Sequence, residues 1–394
     1  MNNLRAETRM PIIVVYRKLM VLYCVVLILG HIVKYTPPYY IILLISILTV
    51  FFSSRNINSE YIKQYLFILI FSLYGIIVAT VTEGGYGGPI TIITGLMVVY
   101  ATKKMQFSKS DITILFCSFF VMALYWILKS PTYYSEFFYN QWKGDNSYAN
   151  ANSVGYYLQY AGCFMFIMMS LSNKKRIKFL KWIVVLICSW GCYNLRARMA
   201  LAGMLFFLVF NIIISMNYKH RRGIIKILLY SSILLEILFP VAYLMLYRSG
   251  IGAKIVFFGL AEKGLYSGRQ LIWQRAFDAM NTIPRMLFGI GSNQDFWKEG
   301  LLNMHNNAMN LYVVVGAVGL IVYFIYLIRY IQKKFDFENC SWLQVQCLLF
   351  FICVIVEGMT DVTLFYNNFI AYHFIPLGIA LNEKYNKLGK SMYV

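Results

Sequence analysis

The amino-acid sequence predicts an all-α, polytopic integral membrane protein of about twelve transmembrane helices, on three observations. Of its 394 residues, 60% are hydrophobic and 13% charged, against about 45–50% and about 25% in soluble domains. Long apolar runs recur along the whole chain, and a run of about 20 residues is what an α-helix needs to cross the hydrocarbon layer. The Lys and Arg residues between these runs alternate between basic and nearly uncharged segments, as they do when a chain weaves through a membrane.

The spans fall at 19–33, 38–52, 65–81, 90–102, 112–128, 154–172, 182–197, 199–216, 227–247, 308–328, 342–357 and 368–381. The first run, Leu19 to Val33, follows a basic flank of Arg5, Arg9, Arg17 and Lys18, lacks a small-residue cleavage site and is followed closely by a second run. It therefore reads as a retained helix rather than a cleaved signal. An even count with basic segments at both ends puts both termini in the cytoplasm.

A net charge of +20 raises the possibility of a nucleic-acid partner, and the placement of the charge answers it. On this topology the inner segments hold 24 of the 36 Lys and Arg and the outer segments 12. Seven of the outer ones lie in a single 60-residue loop, Arg248 to Asn307. Long loops cross largely regardless of charge, so the useful comparison is 24 against 5. The basicity is a topology signal, and no nucleic acid is expected as a partner. The eight cysteines are scattered, mostly within apolar runs, without paired spacing or a histidine cluster; neither disulfides nor structural zinc are expected.

The organisation is one transmembrane domain over residues 1–394 with two long outer segments, 129–153 and 248–307. The first is aromatic and polar, with Tyr133, Tyr134, Phe137, Phe138, Tyr139 and Trp142 followed by Asp145, Asn146, Asn150 and Asn152. Anchoring at the membrane interface accounts for such residues; a platform for sugar rings is the alternative. The chain has no internal repeat, which counts against transporters built from sequence-similar halves.

Within the second segment, Ser267-Gly268-Arg269-Gln270 opens an amphipathic helix of about 268–281 that Pro284 follows. Ser267 and Gln270 have capping-box spacing, which puts the helix start at Ser267. Arg269 then stands in the first turn, where a cation opposes the helix dipole. A docked phosphate or pyrophosphate would give that cation a purpose; contact with lipid headgroups is the alternative. Arg196 and Arg198 lie between two apolar runs, Trp182 to Asn194 and Met199 to Met216. The first run is short, so its helix is expected to continue through the arginines at the outer membrane boundary. Arg at the centre of a membrane helix costs about 2.5–3.5 kcal/mol, so such residues mark function unless they snorkel to headgroups.

Of the four histidines, His220 falls in a basic loop, and His31 and His373 fall in apolar runs. His305 differs, preceding Asn306, Asn307 and Asn310 at the outer entry to the tenth span. A histidine there could take a proton from an attacking hydroxyl. Glu357 and Asp361, near the outer end of the eleventh span, could pair with an arginine or orient His305.

These elements together resemble the O-antigen polymerase and O-antigen ligase superfamily of bacterial envelope enzymes. The likeness runs from about Trp182 to Tyr330. It rests on Arg198-Met199-Ala200-Leu201 at a span junction, Ser267-Gly268-Arg269 with Trp273, Pro284 before Gly289-Ile290-Gly291, His305-Asn306, and Gly316 with Gly319-Leu320. The family usually has Ser or Thr before the first arginine; Ala197 stands here, leaving the choice between Arg196 and Arg198 open. The resemblance implies a metal-independent glycosyltransferase of the membrane-embedded, lipid-phosphate-sugar-dependent (GT-C) type in the bacterial cytoplasmic (inner) membrane, without a cofactor. It also implies an undecaprenyl-pyrophosphate-linked oligosaccharide as donor, with membrane lipids, a chain-length regulator and a flippase as partners.

In this reading Arg198, Arg269 and His305 are catalytic, and Arg196, Arg275, Ser267, Gly268, Trp273, Asn306 and Asp361 bind substrate. The lack of a carboxylate in the first outer loop, which carries Lys34, Pro37 and Pro38, speaks against a metal-dependent transferase. The expected activity is polymerisation of a surface polysaccharide, with an O-antigen ligase and a lipid-linked oligosaccharide flippase as alternatives.

Overall fold

The computed structural model describes residues 2–33, 35–53, 59–142, 150–250, 268–291 and 304–385. Among them the regular structure is helical, with no β-strand. In chain order the helices are α1 (Asn2–Val33), α2 (Tyr39–Ser53), α3 (Ser59–Val81), α4 (Gly87–Thr102), α5 (Lys109–Trp142), α6 (Ala151–Ser170), α7 (Lys175–Asn194), α8 (Arg198–Met216) and α9 (Arg221–Arg248). After them come α10 (Arg269–Ala279), α11 (Ile283–Phe288), α12 (Asn307–Lys334), α13 (Trp342–Glu357) and α14 (Ile370–Ala380).

Seven helical stretches, drawn from α1, α3, α5, α7, α8, α9 and α12, are long and apolar enough to cross a membrane. Four further apolar helices, α2, α4, α13 and α14, are shorter, and α6 carries Asn152, Ser153, Gln159 and three tyrosines in its first ten residues. Each expected span therefore contains a helix. The outward faces of α3, α5, α7, α8 and α9 carry exposed Ile77, Leu128, Leu186, Met216 and Ile227. So much contiguous apolar surface marks a body that faces hydrocarbon. α13 forms the axis of the core, with every residue from Gln344 to Ile355 buried; α6, α8, α9 and α14 surround it.

Two elements differ from expectation. Residues 129–142, expected as loop, continue α5 as helix to Trp142, across Pro131. The helix preceding the paired arginines gains its length at the other end, starting at Lys175 and stopping at Asn194. It stops because Arg196 takes a left-handed conformation, φ +52°, after which Ala197 N–H bonds back to Cys192 O at 3.0 Å. Ala197 is buried against Gly155 of α6, where any Cβ would collide with it.

The segments at opposite ends of the helices gather into two separate faces. At one end, Arg17 and Lys18 pair with Asp111, Tyr385 hydroxyl accepts from Phe107 N–H, and Asn382 donates to Met105 O. At the other end, the α7–α8 junction, α10, the start of α12 and the α13–α14 connection come together.

Candidate functional site

The site is held by a break in α12. Gly316 interrupts the helix with φ +68° and ψ −177°, and three carbonyls before it accept donors from elsewhere. Ile290 N–H reaches Val313 O at 2.8 Å and Gly291 N–H reaches Val314 O at 3.1 Å. Tyr74 hydroxyl donates to Val315 O at 2.6 Å. Irregular backbone at membrane depth is tolerated only where such donors replace the helical ones. The approach demands glycine: a Cβ on Gly289, itself at φ +85°, would lie 2.6 Å from Gly316 N. Two parts of the sequence resemblance, Gly289-Ile290-Gly291 and Gly316, thus form one piece of structure.

α10 sits beside this break. Its cap is Gly268 in a left-handed conformation, φ +85°, without a side-chain cap, so the helix starts one residue later than expected; Ser267 lies outside the described residues. Arg269, Trp273, Ala276 and Met280 share one stripe, and the last three are buried. Trp273 is fully buried and donates its indole N–H to Met304 O at 2.6 Å. It supports the site from beneath rather than lining it as the sequence reading had it, fixing α10 to the residue before His305. Arg275 points away from Trp273 and is exposed, outside the cluster.

His305 takes φ +49°. Its neighbour Asn306 is fully buried and caps α12, accepting from Met309 N–H at 2.7 Å. The Asn306 amide also donates to Glu236 O and Met359 O at 3.2 Å each. Asn306 therefore ties α9, α12 and the α13–α14 connection together, a bracing role in place of the expected substrate contact. Asn307 extends the brace, donating to Thr363 Oγ1 at 3.3 Å and accepting from Leu364 N–H at 3.0 Å.

On this scaffold His305 Nδ1 lies 3.3 Å from Asp361 Oδ1. Tyr156 of α6 gives Asp361 a second partner through its hydroxyl. Arg269 Nε donates to Thr360 O at 2.8 Å, which sets its guanidinium beside the same carboxylate. Burial pushes the Asp361 carboxyl up, but the hydrogen bond and charge of His305 and the charge of Arg269 outweigh it and hold the group below its usual range. Arg198 stands close enough to Arg269 for the two to repel, while Arg196 stacks on Tyr134 with its guanidinium carbon 4.5 Å from the ring centre.

Behind Asp361 lies a second acid. Glu357 is fully buried and accepts from Gln159 and, at 3.4 Å, from Tyr160 hydroxyl. Glu236 of α9, also fully buried, lies by Asn307 and Tyr323. Comparison with protein-family models, curated proteins and solved structures finds no match.

The structure thus joins Arg198, Arg269, His305 and Asp361, puts Arg196 at the adjoining junction, and sets Trp273 and Asn306 in the supporting frame. The sequence reading missed Tyr156, Gln159 and Tyr160. A signal was present: polar residues three and four apart within an apolar run, facing Glu357 and Asp361 four apart in another. Among the described residues, the first outer segment reaches the site at Tyr134; Tyr133 is buried against Trp126, and Asp145 and Asn146 lie outside the described residues.

Proposed function

We propose that this chain is a polymerase of a bacterial surface polysaccharide, O-antigen or capsule. In this reading it spans the cytoplasmic membrane about twelve times with both termini inside and belongs to the membrane-embedded glycosyltransferases of GT-C type. It transfers undecaprenyl-pyrophosphate-linked glycan onto a lipid-linked repeat unit at the outer face. The observation that carries the reading is the His305–Asp361 pair with Arg269 and Arg198 beside it, on the face opposite the basic inner segments.

His305, with Nδ1 3.3 Å from Asp361 Oδ1, presents the Nε2 lone pair to the acceptor hydroxyl when its ring proton is on Nδ1. The acceptor oxygen attacks the anomeric carbon, its proton passes to Nε2, and the bond from that carbon to the pyrophosphate oxygen breaks with its electron pair on the leaving group. Arg198 and Arg269 meet the charge that grows there, the interaction that is strongest in the transition state. A positioned base contributes about 10²–10⁴-fold.

The test is deletion of the gene in its native O-antigen strain, followed by the length distribution of surface glycan. Loss of a polymerase leaves lipid A core carrying at most one repeat, which is the result expected. Bare core, with long polymer accumulating on undecaprenyl pyrophosphate, would assign the chain to the ligase reaction and leave the roles of the four residues in place. Lipid-linked single units facing the cytoplasm would assign it to a flippase and overturn the mechanism.

A further inference from the structure

At the end of the helices opposite the site, four lysines from three separate elements converge on one cavity. Lys103 and Lys104 come from the end of α4, Lys334 from the end of α12, and Lys384 from the turn after α14. The cavity measures about 430 Å³, within the range of small-ligand pockets. Buried Tyr100 and Tyr330, with Tyr65 beside them, give it aromatic walls. Among the described lining residues, Glu383 is the single acid against the four lysines.

Two ordinary causes of a basic helix end explain only part of this. Lysines at helix C-termini complement the helix dipole, which accounts for Lys103 and Lys334 on their own helices. Lysines flanking spans follow from membrane topology, but those spread into solvent to relieve their repulsion. Here the elements are fixed against one another instead. Asn382 donates to Met105 O at 2.7 Å and Lys384 N–H bonds to Asn382 Oδ1 at 3.1 Å, which holds the Lys384 turn over the α4 end. Lys103 lies over the Tyr330 ring with Nζ 5.8 Å from its centre. Lys104 is held below the usual lysine range by burial, with Lys334 and Lys384 adding repulsion and Glu383 opposing them. Lysines held by separate, mutually fixed elements around one walled cavity present convergent donors and a positive field to an anion that enters it.

We propose that this cavity binds a phosphate-bearing anion, taken either as the headgroup of an anionic phospholipid in the adjoining leaflet or as a soluble phosphate. Lysine is suited to it as a point-charge phosphate ligand, and basic pockets between helices on the cytoplasmic side recognise anionic headgroups. The site lies at the end opposite His305, so it stands whether or not the polysaccharide reading does.

The experiment uses the full chain purified in a neutral detergent. Native mass spectrometry measures retention of phosphatidylglycerol against phosphatidylcholine, and thermal unfolding is followed with inorganic phosphate against chloride at equal ionic strength. The variants are Lys104→Gln with Lys334→Gln, the exposed Lys384→Gln alone in case the pair fails to fold, and Lys178→Gln with Lys226→Gln as a control away from the cavity. Expected is preferential phosphatidylglycerol retention that falls about fivefold for each cavity lysine removed, the weight of one basic residue near an anionic membrane surface, and persists in the control. Stabilisation by inorganic phosphate that is lost in the cavity variants supports the same site with a soluble occupant. Equal phosphatidylglycerol retention and no phosphate effect across all variants overturns the proposal, as does an equal loss in the control.

Discussion

At the residue scale, two residues of the candidate site adopt backbone conformations that L side chains avoid. Arg196 and His305 take φ +52° and +49°, each at a cost of about 1–3 kcal/mol, and such outliers gather at functional sites. His305→Ala is expected to abolish polymer while leaving the protein in the membrane, measured as glycan ladder and membrane-fraction abundance; a normal ladder would place the base elsewhere. Arg269→Lys should remain as impaired as Arg269→Ala, since a point charge cannot reproduce the planar contact that combines Thr360 O with a pyrophosphate. Wild-type product from the Lys variant would show that charge alone suffices. For Asp361 the pH dependence has a definite sign. Its carboxyl titrates lower in the fold than in the unfolded chain, where aspartate titrates near about 3.9. The stabilisation is therefore complete above about pH 4 and fades as pH falls through the folded value. Asp361→Asn should lower Tm at neutral pH, and its gap to wild type should close below about pH 4. A gap independent of pH would mean that the carboxylate charge contributes nothing.

At the element scale, the broken helix α12 is the part on which the site depends, because its N-terminus carries His305 and Asn306 while its kink receives Gly289 to Gly291. Gly289→Ala and Gly316→Ala each place a Cβ against backbone and force a left-handed φ. Each should cost more than about 1 kcal/mol and lower Tm. Gly223→Ala is the control, a helical glycine with nothing within 4 Å of its Cβ position, and it should leave Tm unchanged or slightly raised. Unchanged Tm in Gly316→Ala would mean that the helix can close its break. α10 depends on the same frame through the Trp273 bond to Met304 O, so damage at the kink should reach Arg269 as well as His305.

At the scale of the whole molecule, the two faces carry different groups: one gathers Glu357, Asp361 and His305 with Arg198 and Arg269, the other Lys103, Lys104, Lys334 and Lys384 with the Arg17–Asp111 pair. Topology reporters fused after Lys175, Arg222 and Lys334 should read cytoplasm, and reporters after Asn146 and Lys298 should read outside, on the 24 against 5 bias of basic residues. An inside reading at Lys298 would place the His305 face in the wrong compartment for a polymerase and exchange the leaflets of the two sites.

The sequence by itself determined the helical class, the location of the helices and which segments share an end. Those properties follow from local hydropathy and from charge, which act over single spans. It also singled out Arg198, Arg269, His305 and Asp361, because costly cations and a lone polar histidine stand out against an apolar background. Tertiary structure decided which of them meet. The 3.3 Å approach of His305 to Asp361 spans the whole of α12 and α13 in the chain, and no local periodicity encodes such a distance. It also decided that Trp273 and Asn306 brace the site from within, since packing from α9 and the α13–α14 connection buries them. The end of α7 at Asn194 was likewise settled by the fold, where Gly155 admits Ala197 and Arg196 turns the chain. Burial and left-handed backbone are properties of neighbours, and the neighbours come from distant sequence.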